Sequence, residues 1–65
     1  MQITVNGEDR SVSSATVSEL LGTLTIDPRR VAVELNRNIL PKGEYGSTLL
    51  QDGDRIEIVH FVGGG

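Results

Sequence analysis

The sequence predicts an α+β roll: a small mixed sheet with one main helix packed on one face. Three observations carry this. Apolar and polar residues alternate in several short runs, which is the period of half-buried strands. Asn6-Gly7 separates the first two runs, and this dipeptide closes tight hairpins because both residues tolerate positive φ. A single stripe, Val17, Leu20, Leu21 and Leu24, has the i, i+3, i+4, i+7 spacing of one helix face.

Met1, Ile3 and Val5 alternate with Gln2 and Thr4 in the first strand, and the return strand runs from about Glu8 to Val12. A two-residue loop sets Ile3 opposite Arg10 and Met1 opposite Val12. The arginine then either snorkels along its stem or shifts the register through a bulge. Thr16 with Glu19 three residues later reads as a capping box opening the helix. Gly22 weakens that helix by up to about 1 kcal/mol relative to alanine, so packing on the sheet must hold it. Asp27-Pro28 is expected to end it. Val31, Val33 and Leu35 mark a third strand. Asn36-Arg37-Asn38 supplies a turn, and Ile39-Leu40 is a short fourth strand stopped by Pro41. Residues 42–47 are irregular, Leu49 and Leu50 return to the core, and Asp52-Gly53-Asp54 turns into a last strand from Arg55 to Phe61. That strand is the most apolar and is expected at the centre of the sheet beside the first. The order is that of the β-grasp, the ubiquitin-like roll: residues 1–62 form the domain and residues 63–65 a flexible glycine tail.

Composition narrows the chemistry. A chain of 65 residues has no room for a core and a cofactor pocket together, so no bound cofactor is expected. With no Cys there is no disulfide, thiolate zinc site or thiol nucleophile, and His60 alone cannot make a two-histidine metal site. Six basic against nine acidic residues give a net charge of −3, the wrong sign for nucleic acid or an anionic membrane. No apolar run approaches the ~20 residues of a membrane helix, and the start has no signal-peptide pattern. The expectation is a soluble cytoplasmic protein, monomeric when free and catalytically inert by itself.

The last strand leads through Val62 into Gly63-Gly64-Gly65. Three extended residues reach about 10 Å beyond the sheet, and without any Cβ they thread channels closed to other sequences. Such a stalk presents one reactive group, the terminal carboxylate. A carboxylate is a poor electrophile in water, so a partner must activate it, typically as an acyl-adenylate made from ATP. A sulfur or amine nucleophile then attacks the carbonyl carbon.

The run from Leu49 through Asp52-Gly53-Asp54 to Phe61-Val62-Gly63-Gly64-Gly65, with Val33 to Pro41 in mid-chain, resembles the ThiS family of sulfur carriers in thiamine biosynthesis. The resemblance covers essentially the whole chain. It implies that Gly65 is the residue adenylated and converted to a thiocarboxylate, with Gly64 as the penultimate glycine of the motif. It implies a ThiF-like adenylyltransferase using ATP, sulfur derived from a cysteine desulfurase, and a ThiG-like thiazole synthase as acceptor. Many members end in two glycines, which leaves Gly63 a role in reach.

Other residues read more simply. Asp52 and Asp54 are turn residues, Thr16 and Glu19 a cap, His60 a polar face residue, and Arg29 and Arg30 solvated charges. Phe61 shares a face with Val59, opposite Ile56 and Ile58. With one helix covering one face, Val59, Phe61 and Val62 are candidates for partner docking, and Leu40 and Tyr45 extend the patch. The alternative placement folds Phe61 back as a lid on the core edge. Two other carrier chemistries remain open: a molybdopterin synthase small-subunit-like sulfur carrier, and a ubiquitin-like modifier that forms amide bonds with lysines.

Overall fold

The computed structural model describes residues 1–61. Among them, five strands form one mixed sheet: β1 (Gln2–Val5), β2 (Glu8–Ser11), β3 (Val31–Leu35), β4 (Asn38–Leu40) and β5 (Arg55–His60). Their order is β2-β1-β5-β3-β4, with β5 parallel to β1 and antiparallel to β3. The helix α1 (Val17–Thr23) packs on one face, and short 3₁₀ turns occupy Pro28–Arg30 and Lys42–Glu44. This is the β-grasp roll, with the most apolar strand at its centre.

Both hairpins close with two residues at positive φ, Asn6 (50°) and Gly7 (83°) in one, Asn36 (51°) and Arg37 (73°) in the other. Two such residues in succession give the turn whose twist matches the flanking strands. The first hairpin sets Ile3 opposite Arg10 without a slip. Met1 and Val12 exchange backbone hydrogen bonds one step further on. Arg10 is exposed, its guanidinium 3.8 Å from Glu8. In the second hairpin Leu35 pairs with Asn38, so Asn38 belongs to β4 rather than to the turn.

The two turn asparagines also grip β5. The Asn6 side chain accepts from the Ile58 amide at 2.7 Å and donates to the Ile58 carbonyl at 3.2 Å. It imitates a backbone partner at the point where β1 has ended. On the other side, Asn36 Oδ1 accepts from the Arg55 amide at 2.9 Å, and its Nδ2 donates to Asp54 at 3.0 Å. The Asp52-Gly53-Asp54 turn is fastened too: Asp52 accepts from the Gln2 amide at 2.7 Å, and the Asp54 carboxylate from the Gln51 amide at 2.8 Å.

The capping box on α1 is complete, with Thr16 accepting from the Glu19 amide and Glu19 accepting in return from the Thr16 amide. Seven residues are too few for a helix to persist alone. Val17, Leu20 and Leu21 are fully buried, and each contributes about 1.5–3 kcal/mol by leaving water. The helix does not run to Asp27-Pro28. It ends at Thr23 in a Schellman cap, where the Ile26 amide donates to Leu21 at 2.9 Å and the Thr25 amide to Gly22 at 3.0 Å. Thr25 takes the left-handed position with φ 59°, which a glycine normally fills. Pro28 instead opens the next 3₁₀ turn, capped by Asp27.

Ile3, Val5, Val31, Val33, Ile56 and Ile58 complete the core from the sheet, with Leu50 and Tyr45 closing it from the loops. Tyr45 is therefore not a surface residue. It is 3% exposed, and its hydroxyl donates to the Val31 carbonyl at 3.4 Å. Its ring joins the core from an irregular loop, and burial pushes its pKa up. Leu40 is also displaced from the open face. It lies opposite Val33, half-buried against the core. The two-residue turn is the cause, because it fixes the phase of β4 one step away from the expected one.

Candidate functional site

The end of β5 is where the chain delivers its last residues. Alternation buries Ile56 and Ile58 under the helix and turns Glu57 and Val59 to the uncovered face, with Phe61 following in phase. Val59 and Phe61 are 59% and 57% exposed, so Phe61 is not a lid on the core. Ile39, opposite Glu34 on β4, joins this face and is 79% exposed. It takes the place expected of Leu40. Counting a two-residue loop after Leu35 would have found it. Val62, Gly63, Gly64 and Gly65 lie outside the described residues, and so does the expected boundary between domain and tail.

Phe61 is tied down at its backbone and over its ring. Its amide donates to the Arg30 carbonyl at 2.9 Å, extending the β3–β5 ladder by one step. The Lys42 ammonium stands 4.8 Å from the ring centroid and donates to the Arg29 carbonyl at 2.9 Å. An exposed cation over an aromatic face adds about 0.5–1 kcal/mol. Lys42 thus fastens the 3₁₀ turn to the last described residue of the chain. Nothing in the sequence pattern separated it from an ordinary surface lysine.

The same turn holds an ion cluster. Asp27 accepts from the Arg29 amide at 2.9 Å and from its guanidinium at 3.1 and 3.0 Å, with Arg30 3.6 Å away. The Arg29 side chain first, then its amide, lower the Asp27 pKa to about 2, and the Arg30 charge adds to this. Arg29, Arg30 and Lys42 are thus tied to the end of β5, the two arginines paired with Asp27 and Lys42 over the Phe61 ring, although the whole chain carries −3. Arg29 and Arg30 remain solvent-exposed, but through Asp27 they shape the turn that receives Phe61.

Among the described residues, no three His, Cys, Asp or Glu side chains come together as metal ligands would. No helix there is long and apolar enough to cross a membrane. His60 is exposed beyond the buried positions of β5, and no acid–base partner contacts it among the described residues. The site therefore offers a fastened strand end, an exposed apolar face and a cationic rim. It can offer a surface to another protein, and no metal-ligand cluster forms among the described residues.

The model of the ThiS family matches residues 3–65. The sulfur carrier protein ThiS of Bacillus subtilis is 41% identical, the match covering 94% of this chain and 96% of that one. A thiazole synthase of Paramagnetospirillum magneticum is 52% identical over the whole of this chain, which spans only 20% of that protein's length. The crystal structure of the thiamine biosynthesis protein (ThiS) of Geobacter metallireducens superposes with a TM-score of 0.84 at 39% identity, covering both chains completely.

Proposed function

Since the chain belongs to the ThiS family, we propose that it carries sulfur for thiazole formation in thiamine biosynthesis on the carbonyl carbon of Gly65. One observation carries the proposal: the ThiS family model matches residues 3–65, Gly63-Gly64-Gly65 included, and a protein named as a sulfur carrier matches 94% of this chain. The family is one of carriers, acted upon by other proteins rather than acting as enzymes.

The chemistry belongs to the partners. An adenylyltransferase of the ThiF type brings the Gly65 carboxylate to the α-phosphorus of ATP; an oxygen–phosphorus bond forms and pyrophosphate leaves. The terminal sulfur of a persulfide derived from a cysteine desulfurase then attacks the carbonyl carbon and expels AMP. A thiol cleaves the S–S bond of the resulting acyl disulfide, taking the other sulfur into a new disulfide and leaving the thiocarboxylate. A ThiG-type thiazole synthase takes that sulfur into the ring. The presence of a segment 52% identical to this chain within a thiazole synthase supports a working contact between the two functions. The role of the fold is to hold β5 still and present the residues beyond it. Val59, Phe61 and Ile39 supply the apolar surface on which a partner rests, with Val62 next in sequence. Exposed apolar residues gathered on one face are typical of such surfaces.

The test is ATP–pyrophosphate exchange catalysed by the activating enzyme. The full chain supports exchange, whereas a chain lacking Gly64 and Gly65 supports none while its circular dichroism and unfolding midpoint stay unchanged. Exchange persisting without the two glycines would overturn the assignment.

A further inference from the structure

The β5 edge that faces β1 is closed only part of the way. Phe61 donates to Arg30, and Asn36 donates to Arg55 at 2.7 Å, so in β5 the odd-numbered residues turn their backbone groups toward β3. The even-numbered ones face β1. Asp54 accepts from Thr4 and Ile56 from Asn6, both at 2.9 Å, and Ile58 is satisfied by the Asn6 side chain. His60 comes next. By the same alternation its N–H and C=O point to the side that β1 has left at Val5, and neither has a partner among the described residues.

Beside that step lies an open hollow of about 200 Å³. Val5, Ile58, Leu24 and Ile26 give it an apolar lining, and Arg10 and His60 are among its polar lining residues. An unpaired strand edge next to an apolar recess is what strand addition requires: main-chain hydrogen bonds supply affinity, and the recess takes a side chain and supplies specificity. Gly65 is the fifth residue after His60, so a segment paired at His60 sits within about 18 Å of the terminal carboxylate.

We infer that the enzyme activating Gly65 grips this chain by adding an extended segment to the β5 edge at His60, in the lane vacated by β1, with one apolar side chain of that segment seated in the hollow lined by Val5, Leu24, Ile26 and Ile58. The inference rests on the carrier reading and adds the mode of recognition to it. It differs from docking on the uncovered face, because Val59 and Phe61 belong to that face whereas the His60 backbone belongs to the edge.

Two measurements test it. In the first, amide hydrogen exchange is followed on the isotope-labelled chain with and without the adenylating enzyme. The His60 amide is expected to slow at least tenfold in the complex, while the Phe61 amide, already bonded to Arg30, changes little. In the second, the chain is synthesised with an ester in place of the Val59–His60 amide, which removes the unpaired N–H. The unfolding midpoint of the free chain is expected to fall only modestly, because the ester also makes the Val59 carbonyl a weaker acceptor toward β3. The affinity of the folded chain for the enzyme is expected to fall about tenfold, the equivalent of about 1.4 kcal/mol. Unchanged His60 exchange and unchanged ester affinity, with adenylation still proceeding, overturn strand addition and leave the carrier reading intact. Absence of adenylation by the all-amide chain overturns the carrier reading and this inference with it. His60 protection that grows with the chain's own concentration, without enzyme, assigns the edge to a second copy and also overturns it.

Discussion

Replacing Asn6 with glycine separates the two tasks of this residue. Glycine keeps the positive φ that the turn demands, so the hairpin closes as before. The bonds to the Ile58 amide at 2.7 Å and carbonyl at 3.2 Å are lost. Each such bond contributes about 0.5–1.5 kcal/mol net. Glycine's extra freedom in the unfolded chain costs about 0.4–1 kcal/mol more. Both Ile58 groups are only partly buried, so water recovers some of this, and the expected loss is about 2 kcal/mol. In a domain of this size that lowers Tm by about 8–16 °C. Thermal and urea unfolding measure the total, and amide exchange at Ile58 locates it. Asn6→Asp is a partner variant that keeps the acceptor but sets a carboxylate against the Ile58 carbonyl, and it is expected to be at least as damaging. A loss below about 0.5 kcal/mol for Asn6→Gly, with Ile58 exchange unaltered, would refute the claim that this side chain substitutes for a missing strand.

Thr25 carries the left-handed penalty of about 1–2 kcal/mol, so Thr25→Gly is expected to stabilise the fold by about 0.5–1 kcal/mol after the entropy of the unfolded glycine is subtracted; urea unfolding that shows no gain contradicts the Schellman assignment. Asp27 has a folded pKa of about 2 against an ordinary 3.8, so its contribution is fully present above about pH 4 and disappears as pH falls toward 2. A carbon-13 NMR titration of its carboxyl checks this, and a midpoint near the ordinary value refutes the Arg29 fork as its cause. Phe61→Ala removes a side chain that is 57% exposed together with its Lys42 contact, so stability should fall by no more than about 1 kcal/mol. KM for the carrier in adenylation should rise about fivefold, as loss of about 1 kcal/mol of interface contact implies; a large stability loss instead would make Phe61 structural.

Much of the architecture was legible because its signals are local and periodic. Val17, Leu20 and Leu21 fall on one helical stripe, Thr16 and Glu19 stand three apart, and Asn6-Gly7 has one preferred turn. What escaped depends on non-local geometry or on rule-breaking residues. Thr25 occupies a glycine position, so no glycine marks the true helix end and Pro28 drew the expected boundary too late. Arg37 likewise adopts φ 73°, which hid the two-residue turn and exchanged the faces of Ile39 and Leu40. Tyr45 looked like a free aromatic because it sits between Gly43 and Gly46 in an irregular stretch. Only the folded arrangement brings it under Val31. Asn6 and Asn36 were legible as turn formers, while their hold on β5 spans 52 and 19 residues and has no sequence signature.

For the candidate site, the proposal of Gly65 rests on the Gly63-Gly64-Gly65 run after the last strand, which lies outside the described residues. Val59 and Phe61 were readable by alternation along β5. The Lys42 contact with Phe61 was not, since it joins two loops through a carbonyl of a third segment.

Tandem mass spectrometry of the C-terminal peptide, on protein purified from cells that are making thiazole, examines the reactive atom itself. The account predicts a population in which sulfur replaces one carboxyl oxygen of Gly65, and its loss when the activating enzyme is deleted. A terminal carboxylate that stays unmodified under those conditions, or a Gly65 found in amide linkage to lysine, would contradict it.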